Sequence, residues 1–344
     1  MKQELADKKQ VEPSLAFGGQ ALIEGVMIRS RTHKVLAVRK PNKEIVTNIE
    51  PFNSYTQRYK ILGVPFVRGI VAMSESLYLG FKGLFFSANV AVEEEGEAFT
   101  NKEFAVAIAL AVVVTGVFFV VPFLLVSLLG LHGVLFNVVE AIARLTLFIV
   151  YLVVISSWGE FRRVLQYHGA EHKAINAYEA GVPMDVENVK HYSRLHPRCG
   201  TSFLFIVIII SIVVFSLMPD RGFAVNLSYR VLLIPVIAAI SYELLRLSGK
   251  YRDSSGMKIF TAPGLLFQRL TTKEPTEDML EVSIKAVTET NNLIVAESAA
   301  KPDAVLDSGT KPIALFSNSL LVRGVGPPPY FTSKNMLQVC LKRV

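Results

Sequence analysis

Long apolar runs dominate the hydropathy pattern of this chain. No Asp, Glu, Lys or Arg occurs from residue 104 to residue 139. About 20 such residues already span a bilayer as a helix. The runs predict four spans, at roughly 104–129, 134–158, 201–218 and 224–245. The fourth has the shortest uncharged centre, Val231 to Tyr242, bracketed by Arg230 and Glu243. Glu140 and Arg144 stand four apart inside the second span. They can pair on one helix face, which lowers their cost in lipid and fits a structural role better than a transport role.

The remaining segments are more polar. Ala21-Leu22-Ile23, Val35-Leu36-Ala37-Val38 and Glu44-Ile45-Val46-Thr47 read as short strands, with a turn at Lys40 to Lys43. Gly18-Gly19 and Gly25 read as tight turns. In 61–92, Arg68, Glu75 and Lys82 recur every seven residues, drawing one thin polar line along an apolar helix. That fits a helix lying in a membrane interface, or else a core helix under the cap. The expected fold is mainly α: a multi-pass helical membrane bundle with a small N-terminal β-containing cap and a cytoplasmic metal-binding loop. The divisions are a cap (1–60), interfacial helices (61–100), the first two spans (101–158) and the loop (159–200). The last two spans (201–247), a cytoplasmic segment (248–289) and a disordered tail (290–344) follow.

Composition narrows the function classes. The chain is 51% hydrophobic and 19% charged, with a mean hydropathy of +0.41. This argues against a soluble enzyme, a disordered protein and a secreted disulfide scaffold. The net charge is +7. The Lys and Arg residues flank apolar runs and form no nucleic-acid motif, so the expected partner is the lipid bilayer and not nucleic acid. The 159–200 segment carries Arg162, Arg163, Lys173, Lys190, Arg194 and Arg198, whereas 129–135 carries none. The excess of positive charge inside places this segment and both termini in the cytoplasm, in the inner membrane. Cys199 and Cys340 lie too far apart for a disulfide framework, and Met1 to Gln10 lacks an apolar signal run.

The chemistry concentrates in 159–200. Four of the six histidines fall there, with Cys199. His168-x-x-Glu171-His172 has the inverted zincin pattern. On a helix, residues four apart share a face, so both imidazoles can reach one divalent ion, with zinc the natural choice. Glu171, on the neighbouring edge, can serve as general base toward a water activated by the ion. A catalytic zinc needs a third protein ligand. His196 and Cys199, spaced H-x-x-C, are the leading candidates. His191, Glu179 and Glu187 are alternatives, with His191 read as a solvated loop residue. If His196 and Cys199 both bind, four protein ligands close the site and make it structural.

Four separated motifs resemble a known family. They are Gly18-Gly19-Gln20-Ala21-Leu22-Ile23-Glu24-Gly25-Val26-Met27, Tyr167-His168-Gly169-Ala170-Glu171-His172-Lys173, Arg194-Leu195-His196-Pro197-Arg198-Cys199-Gly200-Thr201-Ser202-Phe203 and Pro263-Gly264-Leu265-Leu266-Phe267-Gln268-Arg269-Leu270-Thr271-Thr272-Lys273-Glu274-Pro275. Together they are similar to the bacterial YqhQ-like family, which carries a domain of unknown function, DUF1385. The resemblance covers about residues 15–290 and implies a multi-pass membrane protein and a metal-dependent enzyme; it implies no substrate. Glu24, in the first motif, and Arg29, just after it, either approach the metal centre or make a surface pair, and the surface pair is the simpler reading.

The expected function is a membrane-bound, metal-dependent hydrolase at the cytoplasmic face, acting on a membrane-associated peptide or lipid. His168, His172, His196 and Cys199 are the candidate ligands and Glu171 the candidate base. A peptidase follows only by analogy with other H-x-x-E-H enzymes. The alternative is a scaffold or assembly factor held by a structural zinc.

Overall fold

The computed structural model describes residues 17–92, 100–218, 222–251 and 254–300. Four strands, β1 (Gly18–Leu22), β2 (Gly25–Arg29), β3 (His33–Arg39) and β4 (Ile45–Pro51), form an antiparallel meander in sequence order. One-turn helix α1 (Tyr55–Arg58) and a 3₁₀ turn (Lys60–Gly63) lead to the longer helices. These are α2 (Val67–Val92), α3 (Asn101–Ser127), α4 (Gly133–Ser156) and α5 (Gly159–Glu179). After the single turn α6 (Val186–Val189) come α7 (Gly200–Ser216), α8 (Phe223–Leu232), α9 (Ile234–Lys250), α10 (Ser255–Thr271) and α11 (Glu277–Ala300). The protein is therefore mainly helical, with one small N-terminal sheet.

Alternation along the strands gives the sheet two apolar faces. Ala21, Val26, Ile28 and Ala37 pack against α5 and α11. Leu22, Met27, Leu36 and Val38 pack against Leu79 and Val90 of α2. On α5 the buried stripe is Tyr167, Ala170, Ala174, Ala177 and Tyr178, mostly small residues that let the helix lie close to the sheet. On α11 it is Met279, Leu280, Ala286 and Val287, at helical spacing. Each large aliphatic side chain buried there contributes about 1.5–3 kcal/mol relative to exposure. The sheet thus anchors α5, the helix that carries the H-x-x-E-H motif.

The first half of the 159–200 segment is helix α5, as the spacing of the H-x-x-E-H motif expects. Several expectations change. Gly18 and Gly19 lie inside β1 and form no turn. α11 runs through the expected boundary at 290, because Thr290 and Asn291 are buried, and Asn291 accepts a hydrogen bond from Tyr178. The rest of the expected tail lies outside the described residues. Of the four expected spans, α3 and α4 are long and apolar enough to cross a membrane. The fourth is split into α8 and α9 by a 43° bend, with Pro235 in the first turn of α9. α7, at 17 residues, is short.

The polar line on α2 is used for anchoring. Arg68 pairs with Glu243 of α9, Glu75 accepts from Ser54 Oγ and the Tyr55 amide, and Lys82 pairs with Glu50 of β4. Leu79, Gly80 and Gly83 are buried under the sheet, as the core-helix reading expects. Glu140 and Arg144 do pair, and Arg230 of α8 joins them at 2.7 Å. The Arg230 guanidinium also lies 4.3 Å from the Phe123 ring centre. The carboxylate thus bridges two guanidinium groups inside the helical layer.

Candidate metal centre

Three segments converge on α5. The first is the turn before α7, the second is the end of α10, and the third is β1. Gln268 of α10 is fully buried and clamps the first two together. Its Oε1 accepts from the His196 amide at 2.8 Å, and its Nε2 donates to the His196 carbonyl and to Ser202 Oγ. Asn176 of α5 donates to the Ser193 and Leu195 carbonyls, holding the same turn against the helix. Gly169 permits the close approach of the chain that follows α10, because a Cβ there would collide with the Lys273 carbonyl. The Lys273 amide in turn donates to Leu165.

This scaffold fixes the histidine rings. His168 Nδ1 lies 2.8 Å from the Thr271 carbonyl, and His172 Nδ1 lies 2.6 Å from the Arg194 carbonyl. A carbonyl oxygen only accepts, so both Nδ1 atoms carry the proton and both Nε2 atoms keep their lone pairs. Such outer hydrogen bonds are the usual orienting device of metal-ligating histidines. His168 Nε2 sits 3.2 Å from Cys199 Sγ. The donor atoms of His168, His172 and Cys199 all lie within 4.8 Å of one another. A tetrahedral zinc would hold such nitrogen and sulfur donors about 3.4–3.7 Å apart. The donor set fits the ion with small side-chain adjustments.

Glu171 completes the constellation without joining the three donors. Its Oε2 lies 4.0 Å from His168 Nε2, and the residue is 4% exposed. Burial pushes its carboxyl above the ordinary range, against the pull of His168 and His196. Burial likewise lowers His172, offset in part by Cys199. Position 19 of β1 sits directly on the Glu171 carboxylate, and any Cβ there would overlap it.

The other candidates fall outside the group. His196 is buried with its ring centre 5.7 Å from that of His172, and its Nε2 lies 3.8 Å from Glu179. Glu179 is also paired with Arg198. His191 is exposed, and Glu187 pairs with Lys190. Glu24 occupies the hairpin turn at φ 51°, accepting two 2.5 Å hydrogen bonds from Arg163 and one from Tyr167 Oη. It is a surface pair that pins the hairpin to α5. Arg29 lies over the Phe52 ring. The orienting groups of Thr271, Arg194 and Gln268 were not individually visible in sequence. Two of them are main-chain carbonyls, which leave no residue-type signal. Only the motif segments that contain them could have drawn notice.

Comparison with known proteins places the chain. Residues 64–292 match the family model "Protein of unknown function (DUF1385)". The chain is 37% identical over 313 residues to "Uncharacterized protein YqhQ" of Bacillus subtilis (strain 168), covering 86% of this chain and 98% of that protein. No solved structure matches. A match over most of both chains, joined to a family model that includes the H-x-x-E-H helix and the Cys199 turn, makes this protein a member of the DUF1385 family of YqhQ-like proteins.

Proposed function

We propose that this protein is a metal-dependent hydrolase embedded in the cytoplasmic membrane, with His168, His172 and Cys199 as the ligands of a zinc ion. The observation that carries the reading is the orientation of the two rings. Each is tied through Nδ1 to a main-chain carbonyl; His168 Nε2 lies 3.2 Å from Cys199 Sγ, and donor atoms of both histidines and the thiol stand within 4.8 Å of one another beside a buried carboxylate. Among the described residues three donors come together, the number a catalytic zinc takes from the protein, and this supports the enzyme reading over the structural one.

Bound zinc would supply Lewis acidity and make a water nucleophilic near neutral pH. Glu171 takes the proton of the attacking water as its oxygen bonds to the substrate carbonyl carbon. Glu171 then returns that proton to the leaving nitrogen or oxygen as the bond to carbon breaks. One water is consumed, giving an acid and an amine or alcohol. Burial of Glu171 favours its protonated form between the two transfers.

Membrane placement rests on α3 and α4, whose apolar side chains, such as Val106, Val112 and Val154, are about two-thirds exposed. Such surface calls for lipid. Cys199 caps α7 at its N-terminus, and α5 follows the end of α4, so the centre sits at the end of the apolar layer. The positive-inside pattern makes that end cytoplasmic. The substrate is then a membrane-associated peptide or lipid.

Glu171→Gln separates binding from chemistry. Zinc content of the detergent-purified variant is expected to match wild type, while hydrolysis of a fluorogenic peptide library falls at least about 100-fold. Unchanged turnover in this variant would remove Glu171 from the mechanism.

A further inference from the structure

β1 is an edge strand that borders the metal centre, and its ladder shows which main-chain groups face outward. The β1–β2 hairpin closes on the pair Leu22 and Gly25 through a two-residue turn. Antiparallel pairs alternate, so Leu22, Gln20 and Gly18 exchange hydrogen bonds with β2. Gly19 and Ala21 then point their N–H and C=O groups away from the sheet. The amide of Ile23, next in the same phase, confirms it by donating to Ser87 Oγ on α2.

On the other side of β1, no strand pairs with it among the described residues. Gly18 and Gly19 are both exposed. Proteins usually blunt such edges with charge, proline or a cover, and two bare glycines do the reverse. The same Gly19 touches the Glu171 carboxylate, beside His168 and Cys199. A strand added outside β1 would run about 4.8 Å from it, alongside the proposed base.

We infer that the outer edge of β1 at Gly19 docks the main chain of an extended polypeptide substrate. Gly19 donates its N–H to, and accepts at its C=O from, the substrate residue next to the scissile bond. The inference rests on the hydrolase reading and narrows its substrate class to polypeptide. A lipid acyl chain has no amides with which to use these groups.

The test uses the full chain, detergent-purified and zinc-loaded, with acetohydroxamate, a tetraleucine hydroxamate and versions of the latter N-methylated at one amide at a time. Binding is read by calorimetry. The peptide hydroxamate is expected to bind at least about 10-fold tighter than acetohydroxamate. N-methylation should cost about 10-fold at alternate amides and little at those between, the period-two signature of strand pairing. A flat N-methyl scan overturns the inference. So does a peptide hydroxamate that binds no tighter than acetohydroxamate, and if acetohydroxamate itself still binds one per zinc, the hydrolase reading survives. A protein that holds no zinc overturns both.

Discussion

At the scale of residues, the proposed centre depends on groups outside its donor set. Gly19 has the sharpest consequence. Gly19→Ala puts a methyl group into the space of the Glu171 carboxylate. The variant is expected to keep its zinc and to lose hydrolysis about as fully as Glu171→Gln; full activity would show that the carboxylate has no fixed working position. The H-x-x-E-H spacing and Cys199 were legible because helical periodicity puts the two rings on one face. That Cys199, and not His196, stands with the two rings was not legible. It depends on Gln268 holding the His196 main chain, a contact 72 positions away in sequence. The role of Gly19 was hidden as well, since a pair of glycines signals a turn as readily as a close approach.

At the scale of elements, helices and sheet are linked by a few ionic bridges. Glu50 of β4 accepts from Lys34 of β3 at 2.9 Å and from Lys82 of α2 at 3.0 Å. Burial alone would raise its carboxyl, but the two lysines bring it below the ordinary range. A depressed carboxyl contributes stability above the unfolded value of about 4.3, and loses it as pH falls through the lower folded value. Glu50→Gln should therefore lower the thermal midpoint at neutral pH, and the gap to wild type should narrow as the pH falls below the unfolded value of about 4.3. A gap that does not depend on pH would contradict the bridge. Gly169→Ala, which forces the Lys273 carbonyl off α5, should cost about 1–3 kcal/mol. Thermal unfolding checks this; no loss would mean that the 271–275 segment does not bear on the helix. The strands and the apolar helices were legible from period and run length. The break between α8 and α9 was not, because it falls within one continuous apolar run.

At the scale of the whole molecule, charge is distributed by end. Glu140, Arg144 and Arg230 form a buried network beside a cavity of about 350 Å³ lined by Phe136, Asn137, Phe215 and Arg230. The His/Cys group lies at the opposite ends of α4 and α7. The proposed cytoplasmic placement of the centre would turn this network outward. Cysteine introduced at His132, in the turn between α3 and α4, should react with a membrane-impermeant maleimide on intact cells. Cysteine at the exposed His191 should react only after permeabilisation. The reverse pattern would invert the topology.

Counting metal tests the proposed centre most directly. Elemental analysis of the detergent-purified chain should find one zinc per wild-type molecule. It should find essentially none after His168→Ala, His172→Ala or Cys199→Ala, and a full complement after His196→Ala. Zinc missing from wild type, or kept undiminished without Cys199, would contradict it.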